Sequence, residues 1–214
     1  EPGVRPVTCI LYRRGVDNED EEDYRAALEQ FPSAVYQQRT GVPRDALVIG
    51  RFSVLPFYLE LERDLATRGA RLVNSYRQHQ FIADMREWCE ALGDMTPRLY
   101  HRLQDLPETG RFVVKGQTNS RKHQWDTHMF ARSRRQAVEV AGLLMDDTLI
   151  GQQEIYARDY VDLVSFFMGP NGLPITEEYR IFVARGIPIC GGFYWSSYLD
   201  VILDRNLEMK AESL

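Results

Sequence analysis

Lysine is nearly missing from this chain. Of 26 basic residues among 214, only Lys115, Lys122 and Lys210 are lysines, and the rest are arginines. Cysteine is as scarce: Cys9, Cys89 and Cys190 are odd in number, far apart and without a Cys-x-x-Cys pair. That pattern argues against a disulfide framework and a zinc site, and makes a reducing cytoplasm the expected compartment. No apolar run approaches the length that spans a bilayer, and Glu1-Pro2-Gly3 does not open a signal peptide. The missing initiator Met reads as processing or as a cloned boundary. There is also no excess of positive charge. With 26 basic against 31 acidic residues the net charge is -5, so whole-molecule electrostatics favour neither nucleic acid nor anionic membranes, and only a local basic groove would.

Familiar motifs are absent too. No Gly-x-x-x-x-Gly-Lys-Ser/Thr loop and no Gly-x-Gly-x-x-Gly fingerprint occurs, which disfavours P-loop and dinucleotide-binding readings. Ser53, Ser120 and the cysteines carry no motif for covalent catalysis, and no Ser/His/Asp arrangement can be assigned.

What is there is a globular chain, 44% hydrophobic, long enough for one large domain or two small ones. Its first part alternates short apolar runs with helical patterns. Strands are expected at 7–12, 34–36, 46–50 and 70–74, with helices from the acidic stretch after Asp17 to about Gln30, from Phe57 to Arg68 and from Phe81 to Leu92. Met85, Trp88, Cys89 and Leu92 recur at helical spacing, which marks a core stripe. His79 reads as a capping or surface histidine. The strand at 46–50 runs out into Arg51 and Ser53, a position where open α/β sheets bind ligands.

Two of the three lysines then fall in one stretch, Arg111 to Trp125. Phe112-Val113-Val114 reads as a buried strand, Lys115 follows at once, and Lys122 arrives after the polar connection Gln117-Thr118-Asn119-Ser120. A lysine is a compact charge on a flexible stem whereas arginine is a planar fork, so this exception to an arginine-rich composition points to a phosphate-facing loop. A helix from Ser133 to Met145 follows. The run Leu149 to Tyr156 is expected to be a strand whose Gln153-Glu154-Ile155-Tyr156 end resembles a hinge holding a purine edge. Asp159 and Asp162 lie close enough behind it to reach a ribose hydroxyl, or are ordinary exposed carboxylates. Gly169 to Pro174 is a turn, and strands at Thr176–Val183 and Ile187–Trp195 form a hairpin from which Glu178 and Arg180 project.

In that order, strand-Lys115, polar loop with Lys122, helix, hinge, and Glu178-x-Arg180 in a hairpin ending Gly192-Phe193-Tyr194-Trp195, the chain resembles the ATP-grasp superfamily. It is similar within it to the small bacterial and phage clade named for an arginine and two lysines. The resemblance covers about Ala46 to Trp195. It implies an α+β ATP-grasp fold with a short α/β pre-ATP-grasp domain, 1–95, ahead of an ATP-grasp domain, 96–214. It further implies that Lys115 and Lys122 contact ATP phosphates and that Gln153, Glu154, Ile155 and Tyr156 border the base. Asp159, Asp162 and Glu178 are implied to lie around the nucleotide, Arg180 to stabilise the moving phosphoryl group, and Arg51 to edge the acceptor site. The implied activity is an ATP- and magnesium-dependent ligase that activates a carboxylate, of a peptide or protein among other acids, for attack by an amine or another nucleophile.

The family's magnesium-bearing strand pair is not legible. Three readings are open: a chain continuing past Leu214, loss of those strands, or substitution by Asp204, Asn206 and Glu208. Two alternatives stand beside the ligase. One is a nucleotide-binding or inhibitory protein without turnover. The other is a nucleic-acid-processing ligase with a groove lined by Arg121, Lys122, Arg132, Arg134 and Arg135.

Overall fold

The computed structural model describes residues 7–12, 18–51, 58–184 and 186–198. Ser53, Asp204, Asn206 and Glu208 therefore lie outside the described residues. The chain folds as two compact units that divide between Asp84 and Met85.

The first unit alternates strand and helix: β1 (Thr8–Leu11), α1 (Asn18–Gln30), β2 (Val35–Tyr36), β3 (Leu47–Gly50), α2 (Tyr58–Ala66), β4 (Arg71–Leu72) and α3 (Tyr76–Ala83). Its strands pair in parallel in the order β2-β1-β3-β4. A parallel strand is backed by crossover helices, and the near-continuous apolar runs Thr8–Leu11 and Leu47–Gly50 answer that demand. Cys9, Leu11 and Val48 are buried against Tyr58, Leu61 and Leu65 of α2. Gly69 ends this helical region in the left-handed conformation, at φ 71°, where an added Cβ would strike the Asp45 carboxylate.

The expected helix from Phe81 to Leu92 is instead two helices, α3 and α4 (Met85–Leu92), because Asp84 is extended at φ -77° and ψ 110°. Ser75 starts α3 with a capping box to Gln78. Of the expected core stripe, Met85 and Cys89 are buried but Leu92 is 41% exposed. Met85 and Cys89 pack with Tyr156, so α4 belongs to the second unit and the division falls ahead of the expected boundary after residue 95.

His79 caps nothing. Its ring stacks on Tyr58 at 4.3 Å, and its Nε2 is buried without a hydrogen-bond partner among the described residues.

The second unit continues with β5 (Leu99–Tyr100), β6 (Thr109–Gly116), α5 (Trp125–His128), β7 (Phe130–Ser133), α6 (Arg134–Met145), β8 (Ile155–Asp159), β9 (Ser165–Met168), β10 (Pro174–Thr176), β11 (Tyr179–Ala184) and β12 (Ile187–Phe193). An antiparallel sheet runs β5-β8-β6-β7, and β9/β10 and β11/β12 are separate hairpins. Ser133 caps α6. The buried residues Ala137, Val140, Ala141 and Leu144 of this helix cover Phe112, Val114, Ala131 and Ala157 on one face of the sheet. Strand alternation then sends Val113 and Lys115 to the other face.

Two expected strands differ. Of Leu149–Tyr156, Ile150–Gln152 form a 3₁₀ turn and the strand starts at Ile155. The Thr176–Val183 run is broken after Thr176, so that Glu177 and Glu178 link two hairpins.

Burial pushes the pKa of His79 below its ordinary 6.5. The folded ring resists a proton that the unfolded ring accepts, so His79 lowers stability as pH falls below 6.5. His79→Phe keeps a ring on Tyr58 and removes the orphaned nitrogen. Thermal melts between pH 7 and 5 should show a shallower loss for the variant, and identical slopes would contradict this placement.

Candidate functional site

The second unit gathers cations on the sheet face opposite α6. Lys115 on β6 stands directly across from Tyr156 on β8, and Val113 stands across from Arg158. Lys115 and Arg158 therefore share one face, under α4. Arg158 donates from Nη2 to the Thr96 hydroxyl at 2.5 Å and lies 5.1 Å from the Trp88 ring, while its Nε is buried without a hydrogen-bond partner among the described residues. Among the described residues no carboxylate pairs with Lys115, Lys122 or Arg158. Burial, then the charge of Arg158, then that of Lys122, pushes the Lys115 pKa down to about 8.

Lys122 begins a 3₁₀ turn, Lys122–Gln124, that follows the polar loop. Its ammonium donates to the Tyr194 hydroxyl, 4.5 Å from that ring's centre and 5.3 Å from the Trp195 ring. Arg180 lies 4.7 Å from the same Tyr194 ring. Both cations thus rest on one aromatic side chain at distances typical of cation–π contact.

Gln153 braces the loop between the lysines. Its Oε1 accepts from the Thr118 N–H at 3.0 Å, and its Nε2 donates to the Asn119 side chain at 2.7 Å. Gly116 permits this, because a Cβ there would come within 2.9 Å of Gln153 Oε1 and 2.8 Å of Ile150. Asp147 holds the same loop from beneath. It accepts from the N–H groups of Ile150 and Leu149 and from Arg121, which together push its pKa down to about 2.

The backbone edge of β8 is partly open. The Gln117 N–H donates to the Glu154 carbonyl at 2.8 Å and the Tyr160 N–H to the Arg111 carbonyl at 2.8 Å, so even-numbered β8 residues turn their backbone toward β6. Odd-numbered ones face β5, as the 3.0 Å bond from the Asp159 N–H to the Arg98 carbonyl shows. β5 stops at Tyr100, opposite Ala157. The N–H and C=O of Ile155 therefore point past the end of β5, into a cavity of about 610 Å³ lined by Arg86, Glu90, His101, Arg102, Glu154 and Ile155. Glu154 itself bonds to the Tyr156 hydroxyl.

The other expected residues have partners of their own. Asp159 accepts from the buried Tyr100 hydroxyl, and Asp162 forms an exposed forked pair with Arg111. Glu178 accepts from Trp195 Nε1 at 2.9 Å and from the Thr176 hydroxyl, which fixes the indole beneath Lys122. Arg51 belongs to the first unit, where Asp23 accepts from it at 2.7 and 3.1 Å and from Tyr12 at 2.8 Å.

Three of the five basic residues of the alternative nucleic-acid groove are paired with carboxylates. Arg121 pairs with Asp147 at 2.5 Å, and Arg134 with Glu108 and Arg135 with Glu139 at 3.0 Å each, while Arg132 stacks over Phe130 at 5.3 Å. Arg158 is the member of the cation cluster that sequence reading missed. The signal was its period of two from Tyr156, which puts both on the Lys115 face.

Magnesium would need converging oxygen ligands. Among the described residues no three His, Cys, Asp or Glu side chains are arranged to hold a metal ion, and Glu178 is committed to Trp195. The described residues do not fit the ion.

Lys115 in its charged form strains the fold. Its unfolded pKa is 10.5 and its folded one about 8, so the penalty is fully present below pH 8 and is relieved as pH rises from 8 to 10.5. Lys115→Met should raise stability by about 3 kcal/mol at most at pH 7, from the size of that depression. The gain should vanish near pH 10.5. Denaturant melts of both forms at the two pH values check this, and a destabilised variant at pH 7 would refute it.

Neither protein-family models nor curated protein sequences match the chain. Among solved structures it is similar to a RimK-domain ATP-grasp protein from Sphaerobacter thermophilus DSM 20745, with a TM-score of 0.59 over 96% of this chain and 80% of that one. Identity between the two is 12%, so the likeness speaks for the backbone and not for the chemistry. The chain has the α+β ATP-grasp fold.

Proposed function

We propose that this chain is an ATP-dependent ligase of the small ATP-grasp clade named for an arginine and two lysines. The observation that carries the reading is the cluster of Lys115, Lys122 and Arg158, concentrated without a carboxylate partner among the described residues. A triphosphate is the anion that such a cluster accommodates, and its binding would return Lys115 toward an ordinary pKa. The open N–H and C=O of Ile155 offer a purine edge one donor and one acceptor, with Tyr156 and Glu154 fixing the strand.

The transfer follows from phosphoryl chemistry. A carboxylate oxygen forms a bond to the γ-phosphorus as the bond from that phosphorus to the β,γ-bridging oxygen breaks, giving an acyl phosphate and ADP. An amine then attacks the acyl carbon, inorganic phosphate leaves, and the nitrogen gives up a proton. Fixed cations around the moving phosphoryl group supply most of what this step requires. In this reading Lys122 and Arg180, 4.5 and 4.7 Å from the Tyr194 ring, take that role, and Lys115 holds the nucleotide. Three unpaired cysteines and a need for ATP fit a cytoplasmic setting.

Lys115→Ala and Lys122→Ala should each weaken ATP binding about ten- to a hundredfold, the loss expected for one charge-assisted contact. Calorimetric titration with ATP and magnesium measures this. Undiminished affinity in both variants would overturn the phosphate assignment. Binding without ATP cleavage across a panel of acids and amines would favour a nucleotide-binding protein without turnover.

A further inference from the structure

One face of the β11/β12 hairpin is built as a small pocket. Strand alternation divides its residues. Tyr179 and Phe193 turn toward Leu173, Ile175 and Trp195, where Phe193 is buried. Arg180, Phe182, Cys190, Gly192 and Tyr194 share the opposite face, with Arg180 directly across from Gly192 and Phe182 across from Cys190. These five residues, together with Gly191, Phe193 and Ser196, line a cavity of about 300 Å³.

Gly192 has no local reason to be glycine. Its backbone is not in the left-handed region, and an added Cβ would meet nothing within 4 Å. Glycine inside a strand weakens it and commonly marks close approach of a ligand or another backbone. What Gly192 preserves is open space beside the contact of the Arg180 guanidinium with the Tyr194 ring. Gly191 differs, since its Cβ would press on the Arg180 carbonyl at 3.1 Å.

The lining selects the ligand. Arg180 is exposed and rests on Tyr194, with no carboxylate pairing it among the described residues. A single planar fork suits a single carboxylate. Phe182 is 52% exposed beside it and offers an apolar wall. A space of this size is at the small end of ligand sites and holds one amino-acid-sized group rather than a polymer face.

We infer that the pocket of Arg180, Phe182, Gly192 and Tyr194 binds the acid substrate, a monocarboxylate with a compact apolar body. This rests on the acyl-phosphate reading and extends it to the class of acid. The carboxylate lies on Arg180, and Lys122 shares the Tyr194 ring with that arginine at 4.5 Å. The acid's oxygen is thereby set beside the cation that faces the γ-phosphoryl group. Arg180 offsets repulsion between the two anions and positions the carboxylate, while Gly192 sets the space for its body.

The probe is N-acetyl-phenylalanine, titrated by calorimetry in the presence of AMP-PNP, with N-acetyl-phenylalaninamide and N-acetyl-aspartate as comparisons. The acid should bind at least tenfold more tightly than either, because one lacks the carboxylate and the other the apolar body. Gly192→Val should weaken it at least tenfold while AMP-PNP affinity is kept. Gly192→Ser provides a smaller obstruction with an intermediate loss, and melting temperatures verify folding of both. Equal binding of acid and amide, or undiminished binding in both variants, overturns the inference. If AMP-PNP binds and the acid does not, this inference alone falls; if AMP-PNP does not bind the parent protein, the ligase reading falls first.

Discussion

A lysine that the fold does not neutralise governs this structure. Lys115 is half-buried on a sheet face beside Arg158, and among the described residues both ordinary remedies for a buried charge are missing there: a carboxylate partner and full exposure to water. A merely structural site would replace such a side chain with an apolar one. Natural chains keep local conflicts of this kind where function needs them, and under the proposed function an anion would relieve this one. The rest of the site serves that arrangement. Gln153 and Asp147 fix the loop that brings Lys122 to it, and α4 closes over Arg158 with Trp88.

Aromatic rings organise the second half of the site. Glu178 holds Trp195 by its indole N–H, Trp195 packs edge-on against Tyr194 at 4.7 Å, and Tyr194 carries both Lys122 and Arg180. Cations that rest on rings keep their charge available to a ligand in a way that ion pairs do not. The contrast within the same unit is clear. Arg121, Arg134 and Arg135 are each matched to a carboxylate, and none belongs to the cluster.

Much of this was legible in the residues. The β-branched run before Lys115, the polar loop and the helix that follows Ser133 each act locally, so their elements follow from pattern alone. The α+β ATP-grasp expectation agrees with the structure. What was not legible depends on distant contacts. Asp84 breaks a helical pattern that runs on through Met85, and Met85 is drawn to the second unit by its bond to the Gln117 carbonyl at 3.0 Å. The 3₁₀ turn at Ile150–Gln152 is imposed by Asp147 accepting from two N–H groups, which an apolar run reading as strand does not reveal. Two-residue strands such as β5 carry too little pattern to detect, yet its early end is what leaves Ile155 open. Asp162 shows the limit at the site itself, since proximity in sequence to the hinge did not announce its partner Arg111.

Under the proposed function Lys115 is held in a suppressed state that a triphosphate relieves. Titration of its ammonium group by NMR, with and without ATP, tests this most directly. The account predicts a pKa of about 8 in the free protein that climbs back toward 10.5 when ATP binds. A value near 10.5 in the free protein, unmoved by ATP, would contradict it.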